Sequence, residues 1–178
     1  MLISGDLKRF HSMMRGEMVV RSHWRKWADL VSPRFMPVLL IRVAGSLYHL
    51  HLKPFAKIIS FFNFVVFGLE CAMRCRIGPG LFLPHTQGTV IGASEMGTNV
   101  TIFQSVTIGA RELDPLFDND KRPKIGDNVL IGSGAKLLGS ILVGDGARIG
   151  ANTVVMQNVP AGALVIGAKP QILPAEVK

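Results

Sequence analysis

Cysteine is scarce in this sequence, which contains only Cys71 and Cys75, four positions apart. Two thiols form neither a disulfide framework nor a zinc site built from cysteine ligands. We therefore expect two packed, free thiols in a reducing compartment, and we predict no bound metal.

The sequence also lacks a hydrophobic run long enough to cross a bilayer. The longest apolar stretch, 58–69, is interrupted by two polar residues and a glycine, whereas a spanning helix takes about 20 apolar residues. A charged residue as early as Asp6 breaks the apolar run that a signal peptide would need. These features predict a cytoplasmic protein.

Acidic residues are rare in the first part of the chain. Residues 1–76 contain 12 Lys and Arg against 4 Asp and Glu, while residues from 77 onward contain 8 against 8. The formal net charge of +8 therefore lies entirely in the first part, which predicts an anionic partner for it. No recognition helix, zinc finger or aromatic stacking signature is present, so nucleic acid is not the expected partner.

The second half of the chain contains a six-residue repeat of aliphatic residues. A helix of 3.6 residues per turn cannot keep such a spacing on one face, and glycine and Asp-Gly turns break the run into pieces too short for long strands. One hexapeptide cannot bury its aliphatic residue alone, so the repeats must stack. The repeat predicts a mainly β fold, a parallel solenoid with three hexads per coil, whose inward residues are Ile125, Ile131, Leu137, Val143, Ile149 and Val155.

The same spacing extends toward the N-terminus with two interruptions. The register runs from Ile77 through Leu83, Val90, Met96, Ile102 and Ile108, with one extra residue before Val90. Residues 110–124 are rich in Asp and Pro and are predicted to be a loop ejected from the coil. This predicts an N-terminal helical segment, 1–76, and a solenoid domain of about four coils with a C-terminal tail, 77–178.

The N-terminal segment is predicted to contain helices over 1–30, 36–52 and 54–67. The last of them is rich in phenylalanine, and its basic neighbours include Lys53 and Lys57. Two interpretations remain open. The aromatic residues pack on other helices or across an oligomer, or they make peripheral contact with an anionic membrane at its inner face.

An imidazole occurs where the repeat is interrupted. His85 lies two positions after the inward Leu83, so its side chain is expected to face outward. Histidine near neutral pH accepts a proton from a hydroxyl, which is the task of a general base in acyl transfer. A surface histidine in a turn is the alternative.

Four segments of the chain form a distinctive set: His85-Thr86-Gln87-Gly88-Thr89-Val90-Ile91-Gly92, Gln104-Ser105-Val106-Thr107-Ile108-Gly109, Pro123-Lys124-Ile125-Gly126 and Ile131-Gly132-Ser133-Gly134-Ala135-Lys136-Leu137-Leu138-Gly139. With these segments, residues 70–173 resemble the catalytic domain of serine acetyltransferases and of the shorter capsular or colanic-acid polysaccharide O-acetyltransferases. The resemblance implies a left-handed parallel β-helix, a homotrimer and acetyl-CoA as acyl donor.

The resemblance also implies roles for single residues. His85 is the base, and Glu70 is the carboxylate that orients it, where serine acetyltransferases usually have Asp. The backbone N–H of Gly109 would meet the oxyanion. Contacts with the coenzyme are implied for two small residues along the pantetheine arm and for one lysine at a phosphate: Ser133, Ala151 and Lys169.

Two departures from serine acetyltransferases bear on the acceptor. Those enzymes carry Asp before the base and Arg-His before the Pro-Lys-Ile segment, whereas this chain has Pro84 and Lys121-Arg122. We therefore predict O-acetylation of a sugar hydroxyl in a capsular or exopolysaccharide repeat unit, with Lys121 and Arg122 contacting the glycan. The sequence leaves open whether this carbohydrate acceptor is free, nucleotide-bound, lipid-linked or polymeric. Serine O-acetylation and a non-catalytic scaffold are the alternatives.

Overall fold

A computed structural model describes residues 2–15 and 30–169 of the chain. Within these described residues, three α-helices come first: α1 is Leu2–Arg15, α2 is Met36–His49 and α3 is Lys53–Phe67. The helices α2 and α3 each have a proline in the first turn, where the missing N–H costs nothing. The part of the predicted first helix that contains Trp24 and Trp27 lies outside the described residues.

Short parallel strands follow the helices and form three sheets. Sheet A has the strand order β1-β3-β6-β9-β12, sheet B β10-β7-β4-β2, and sheet C β13-β11-β8-β5. Successive strands belong to the three sheets in rotation, so each turn of the chain has three sides and the coil is triangular. The strands are β1 Leu69–Cys71, β2 Arg76–Ile77, β3 Thr89–Ile91, β4 Glu95–Met96, β5 Thr101–Ile102, β6 Thr107–Gly109, β7 Lys124–Ile125, β8 Leu130–Ile131, β9 Lys136–Leu138, β10 Leu142–Val143, β11 Arg148–Ile149, β12 Val154–Val155 and β13 Leu164–Val165.

The aliphatic residues of the repeat form the interior of the coil. In sheet A, Ile108 pairs with Leu137, and Leu137 pairs with Val155 in the next coil. All six predicted inward residues between 124 and 160 are buried. The stack thus buries one aliphatic layer per side, as the hexapeptide spacing predicts.

Strand pairing begins eight residues earlier than the expected start at Ile77. The first strand of sheet A is β1, in which Cys71 pairs with Ile91. Cys71 packs against the core and lies six positions before Ile77, so it continues the repeat. The coil therefore has five strands in sheet A. The aliphatic repeat does not predict the first of them, because a cysteine occupies its inward position.

The register around His85 also differs from the prediction. In β3 the fully buried residue is Ile91, whereas Val90 is only half-buried. Ile91 pairs with Ile108, and Val90 pairs with Thr107, which faces outward. Eight positions separate Leu83 from Ile91 and five separate Ile91 from Met96, so the extra segment that contains His85 is longer than one residue.

A buried ion pair fastens the helices to the coil. Asp6 in α1 is fully buried and accepts hydrogen bonds from Arg42 in α2, at 2.8 and 2.9 Å. The same carboxylate accepts from the backbone N–H groups of Gly80 and Leu81, at 2.8 and 3.0 Å. Arg42 also donates to the carbonyl oxygens of residues 77 and 78. Every charge of the pair is therefore compensated, as a buried ion pair requires.

Helix α3 packs with its small and polar side. Ala56 and Asn63 are its buried residues, and the Asn63 side-chain N–H₂ donates to the carbonyl oxygen of Pro37 in α2. Its large apolar residues mostly point outward. None of the helices within residues 2–15 and 30–169 has the length and hydropathy to cross a membrane.

Candidate active site

One edge of the triangular coil carries three of the eight predicted site residues, His85, Ser133 and Ala151. The edge lies where the chain passes from sheet C to sheet A, and we refer to it as the His85 edge. Backbone hydrogen bonds stack its turns: Ser105 N–H donates to the Gln87 carbonyl, Gly134 N–H to Gln104, and Asn152 N–H to Ser133. The turns of successive coils therefore lie directly above one another.

The turn that contains His85 is fixed to the junction between α3 and β1. The Thr86 hydroxyl donates to the carbonyl oxygen of Phe67 at 2.8 Å, and Gly88 N–H donates to that of Gly68 at 2.9 Å. Gly68 ends α3 with a φ of 62°, a left-handed conformation that favours glycine. His85 itself is exposed, so its imidazole is presented to solvent on an anchored turn.

Glu70 lies on the strand beside this turn. It is an exposed residue of β1 and pairs with Val90 of β3. Among the described residues no hydrogen bond joins Glu70 to His85, although catalytic hydrogen bonds are often long before substrate binds. Glu70 also lines a cavity of about 320 Å³ beneath α3, together with Lys57, Phe61 and Phe64.

Ser133 and Ala151 lie on the His85 edge in two lower coils. Ser133 is half-buried and Ala151 exposed, and their backbones are linked through the bond from Asn152 N–H. The structure thus aligns His85, Ser133 and Ala151 along one line, where an extended coenzyme arm could lie.

Two residues on this edge were not singled out from the sequence. Lys136 donates from Nζ to the carbonyl oxygen of Ser105 at 2.6 Å, which places a cation on the edge. The Oε1 atom of Gln104 is buried and has no hydrogen-bond partner within residues 2–15 and 30–169. Neither feature could be found from the repeat, because both depend on how neighbouring coils stack.

Gly109 lies on the other edge of sheet A. It ends β6, while His85 precedes the start of the neighbouring strand β3. Strands of three residues are about 10 Å long, so His85 and Gly109 of one protomer lie too far apart to contact the same reacting carbonyl. A Cβ atom added to Gly109 would meet no atom within 4 Å, so the space beside this backbone is open.

The segment predicted as an ejected loop, 110–124, has an ordered interior. Arg122 donates from Nε to Asp114 at 2.8 Å and from Nη1 to the carbonyl oxygen of Gly92 at 2.9 Å. Its guanidinium also stacks on the ring of Phe117, 3.8 Å from the centroid. Hydrogen bonds from the Asp118 backbone N–H, and then from Arg122, hold the pKa of Asp114 below its usual range.

This geometry limits what Arg122 and Lys121 can do. Arg122 uses Nε and both terminal nitrogens within the loop and the adjacent turn, so it holds the loop in place. Lys121 is exposed and lies 3.8 Å from Asp118. Lys169 is exposed at the end of the described chain, beyond β13.

The two cysteines have no nucleophilic character in this structure. Both are free, and burial raises the pKa of the Cys71 thiol well above its usual value and that of Cys75 to about 12. Neither is a thiolate near neutral pH. Within residues 2–15 and 30–169, no cluster of His, Cys, Asp or Glu could hold a metal ion.

The repeat is found in known proteins. Residues 122–157 match the family described as "Bacterial transferase hexapeptide (six repeats)". Serine acetyltransferase of Helicobacter pylori (strain J99 / ATCC 700824) is 35% identical over 158 residues, which are 88% of this chain and 90% of the relative. The similarity therefore includes helices as well as the coil.

Solved serine acetyltransferases share the fold. Isoform 3 from Entamoeba histolytica, in complex with cysteine, aligns with a TM-score of 0.79 and 28% identity over 98% of this chain and 60% of its own. The Neisseria gonorrhoeae enzyme in complex with serine aligns with a TM-score of 0.77 and 32% identity over 95% of this chain and 67% of its own. A serine acetyltransferase complex with CoA aligns with a TM-score of 0.78 and 27% identity over 97% of this chain and 68% of its own. This chain thus spans only about two thirds of the solved chains.

These similarities define the class of this protein. The coil is the left-handed parallel β-helix of hexapeptide-repeat transferases, preceded by helices, as the sequence predicts. The chain belongs to the serine acetyltransferase family.

The comparisons correct the predicted acceptor. The relatives are serine acetyltransferases, so the prediction of a sugar hydroxyl in a polysaccharide repeat unit is wrong. The resemblance to capsular or colanic-acid O-acetyltransferases is likewise not supported. The prediction rested on Pro84 and on Lys121-Arg122, and Arg122 is engaged inside the loop.

Proposed function

We propose that this chain transfers the acetyl group of acetyl-CoA to the hydroxyl of L-serine, with His85 as general base. The observation that carries the proposal is the relationship to serine acetyltransferases along nearly the whole chain, combined with an exposed histidine on an anchored turn of the coil. The CoA complex of a similar solved structure supports acetyl-CoA as the co-substrate.

The acetyl group is transferred directly from acetyl-CoA to serine in a ternary complex. His85 accepts the proton of the serine hydroxyl as the oxygen attacks the thioester carbonyl, and the C–O bond forms. The tetrahedral oxyanion is met by the backbone N–H of Gly109. When the C–S bond breaks, the imidazolium of His85 returns the proton to the CoA sulfur, so no charge accumulates. An acyl-enzyme is not required, and the protonated state of Cys71 and Cys75 is consistent with its absence.

Glu70 is assigned the role of supporting the His85 imidazolium. It lies on β1, the strand paired with the one that follows His85. A carboxylate in this place favours the charged ring that forms during the reaction. Ser133, Ala151 and Lys169 are assigned to the coenzyme, because the first two continue the line of His85 down the edge.

The separation of His85 from Gly109 supports a site between protomers. In a homotrimer with parallel coils, the His85 edge of one protomer would face the Gly109 edge of the next, and a threefold ring closes such a head-to-tail contact. The open space beside Gly109 would then receive the thioester. We therefore assign a homotrimer whose three sites each use two protomers.

Release of CoA measured with acetyl-CoA and L-serine tests the acceptor. We expect release to depend on serine with saturation kinetics, and O-acetylserine to accumulate in equal amount. Release at the same low rate with and without serine would refute the proposal. Blocking the serine hydroxyl, as in O-methylserine, provides a matched control that should give no product.

A further inference from the structure

Helix α3 presents a wide apolar surface to solvent. We define the α3 face as five outward residues with exposed fractions of 50 to 67%: Phe55, Ile58, Phe61, Phe62 and Val65. At 100° per residue these side chains occupy one arc, opposite the buried Ala56 and Asn63. A soluble helix normally directs its apolar residues toward the core, so the orientation of α3 is reversed.

The surroundings of this face are cationic. From residue 31 to residue 69 the sequence contains no Asp or Glu, and its basic residues are Arg34, Arg42, Lys53 and Lys57. Arg42 is buried with Asp6, while the other three are exposed. Lys53 and Lys57 are four positions apart on α3, where like charges repel in the absence of an anionic partner.

The charge distribution indicates what covers the face. A second copy of the same face would bring further apolar residues and lysines but no carboxylate, because α3 contains no Asp or Glu. An anionic lipid surface supplies negative headgroups for the lysines and an apolar layer for the phenylalanines. We propose that the α3 face docks on the surface of an anionic lipid bilayer, with the helix lying in the plane of the interface.

The packing of α3 fixes this orientation. One side of the helix contacts α2 through Asn63 and the turn of His85 through the bond from Thr86 to Phe67. The opposite side is available to lipid, so α3 lies on the bilayer and does not insert along its axis. Docking would also hold the turn of His85 at a fixed height above the surface, because that turn is bonded to the end of α3.

Flotation of the full-length protein with lipid vesicles tests the proposal. We use vesicles of phosphatidylcholine alone and of phosphatidylcholine with phosphatidylglycerol. We expect the protein to float with the anionic vesicles at low salt, and much less with neutral vesicles or at high salt. No flotation at low salt, or flotation equal on both lipids, would overturn the proposal.

Variants locate the contact on α3. Lys53→Ala/Lys57→Ala should lower the partition coefficient by about 30-fold, because each cation near an anionic surface contributes about 1 kcal/mol. Phe61→Gln/Phe62→Gln should abolish flotation. Both pairs are exposed, so the fold should remain. Leu164→Gln changes an apolar residue of similar exposure, 65%, on the coil and is the matched control, expected to float like the wild type.

Sedimentation separates lipid docking from self-association. If the phenylalanine variant dissociates into smaller species while the wild type never floats, the face is an interface between copies, and the lipid proposal fails. If the variant keeps the sedimentation coefficient of the wild type and loses only flotation, the proposal stands. Serine-dependent CoA release by the same variant in solution shows separately whether the proposed enzyme activity is intact.

Discussion

The coil and helix α3 bury their apolar residues in opposite ways. In the coil, most sides of each turn direct an aliphatic residue inward, and nearly all of these residues are almost fully buried. In α3 the buried positions are an alanine and an asparagine, and the large apolar residues face solvent. The coil is therefore stabilised by its own interior, while α3 is held by a narrow buried side, where Ala56 packs and Asn63 donates to Pro37.

The difference explains where similar substitutions should have different effects. A large residue in the coil has neighbours on all sides, and its loss leaves a cavity. A large residue on the α3 face has solvent on one side, and its loss removes little packing. The helices contact the coil at the Asp6–Arg42 pair and at the turn of His85. A substitution at either place is expected to affect both the helices and the coil.

The largest effect is expected in catalysis, on the coil edge. His85→Ala should lower turnover by roughly 10²–10⁴-fold, because the general base is lost. Glu70→Gln should reduce turnover less, since it only supports the imidazolium. Steady-state CoA release measures both. Binding of acetyl-CoA by His85→Ala, followed by calorimetry, should stay close to wild type; turnover unchanged in that variant would remove His85 from the mechanism.

The next effect concerns the link between the regions. Asp6→Ala leaves the buried Arg42 guanidinium without its carboxylate and frees two backbone N–H groups. Removing one partner of a buried ion pair costs about 3–5 kcal/mol. Chemical denaturation of the variant measures this loss. A matched variant, Asp6→Leu/Arg42→Met, removes both charges and should be less destabilised; equal losses would show that the unpaired charge of Arg42 is not the cause.

A third test compares the two regions directly. Leu137→Ala in the coil should lower the free energy of unfolding by about 2–5 kcal/mol, because it removes a fully buried side chain. Phe62→Ala on α3 should change it by about 0.5 kcal/mol or less, as exposed substitutions do. Denaturant midpoints of the two variants give the comparison. Similar losses for both would contradict the difference in burial.

The smallest effect is expected in the rate at which the Cys75 thiol is labelled. Cys75 packs against the coil core and lines a small cavity against α2. With its pKa raised to about 12, the thiolate is a minor species at pH 8, so labelling by a disulfide reagent should be slow. Its rate should rise about tenfold per pH unit up to pH 10, while an ordinary thiol levels off near its pKa of about 8.5. Rapid labelling of the folded protein at pH 7 would show that this junction is open.

Much of the fold could be predicted from the repeat, because one buried aliphatic residue in six is a pattern that is easy to recognise in the sequence. The pattern did not predict the inward residue where that residue is not aliphatic, as at Cys71, or where two aliphatic residues are adjacent, as at Val90 and Ile91. Only strand pairing, which depends on distant residues, decides between neighbours. The composition favours a loop over 110–124, of which Lys124 belongs to β7, but it does not reveal the Asp114–Arg122 contact.

The site was predictable only in part. His85, Ser133 and Ala151 were expected from the resemblance, and the structure aligns them on one edge. Their roles and that of Glu70 stay predictions. The acceptor was predicted wrongly, because Pro84 and Lys121-Arg122 were interpreted as features of a glycan site, whereas Arg122 is engaged inside the loop. Lys136 and Gln104 take part in contacts between coils, which the spacing of the repeat does not reveal.

The central claim is that each site combines the His85 edge of one protomer with the Gly109 edge of the next. Two variants, each inactive alone, test it: His85→Ala, and Gly109→Leu, whose side chain would fill the open space for the thioester. Sedimentation first establishes that each variant assembles like the wild type.

Mixed oligomers of the two variants, refolded together in equal amounts, are then assayed for CoA release. A protomer with intact His85 next to one with intact Gly109 rebuilds a complete site, so random mixing in a ring should restore about a quarter of wild-type activity. If each site lay within one protomer, no mixture could contain a complete site. Activity that stays at the level of the separate variants would contradict the account.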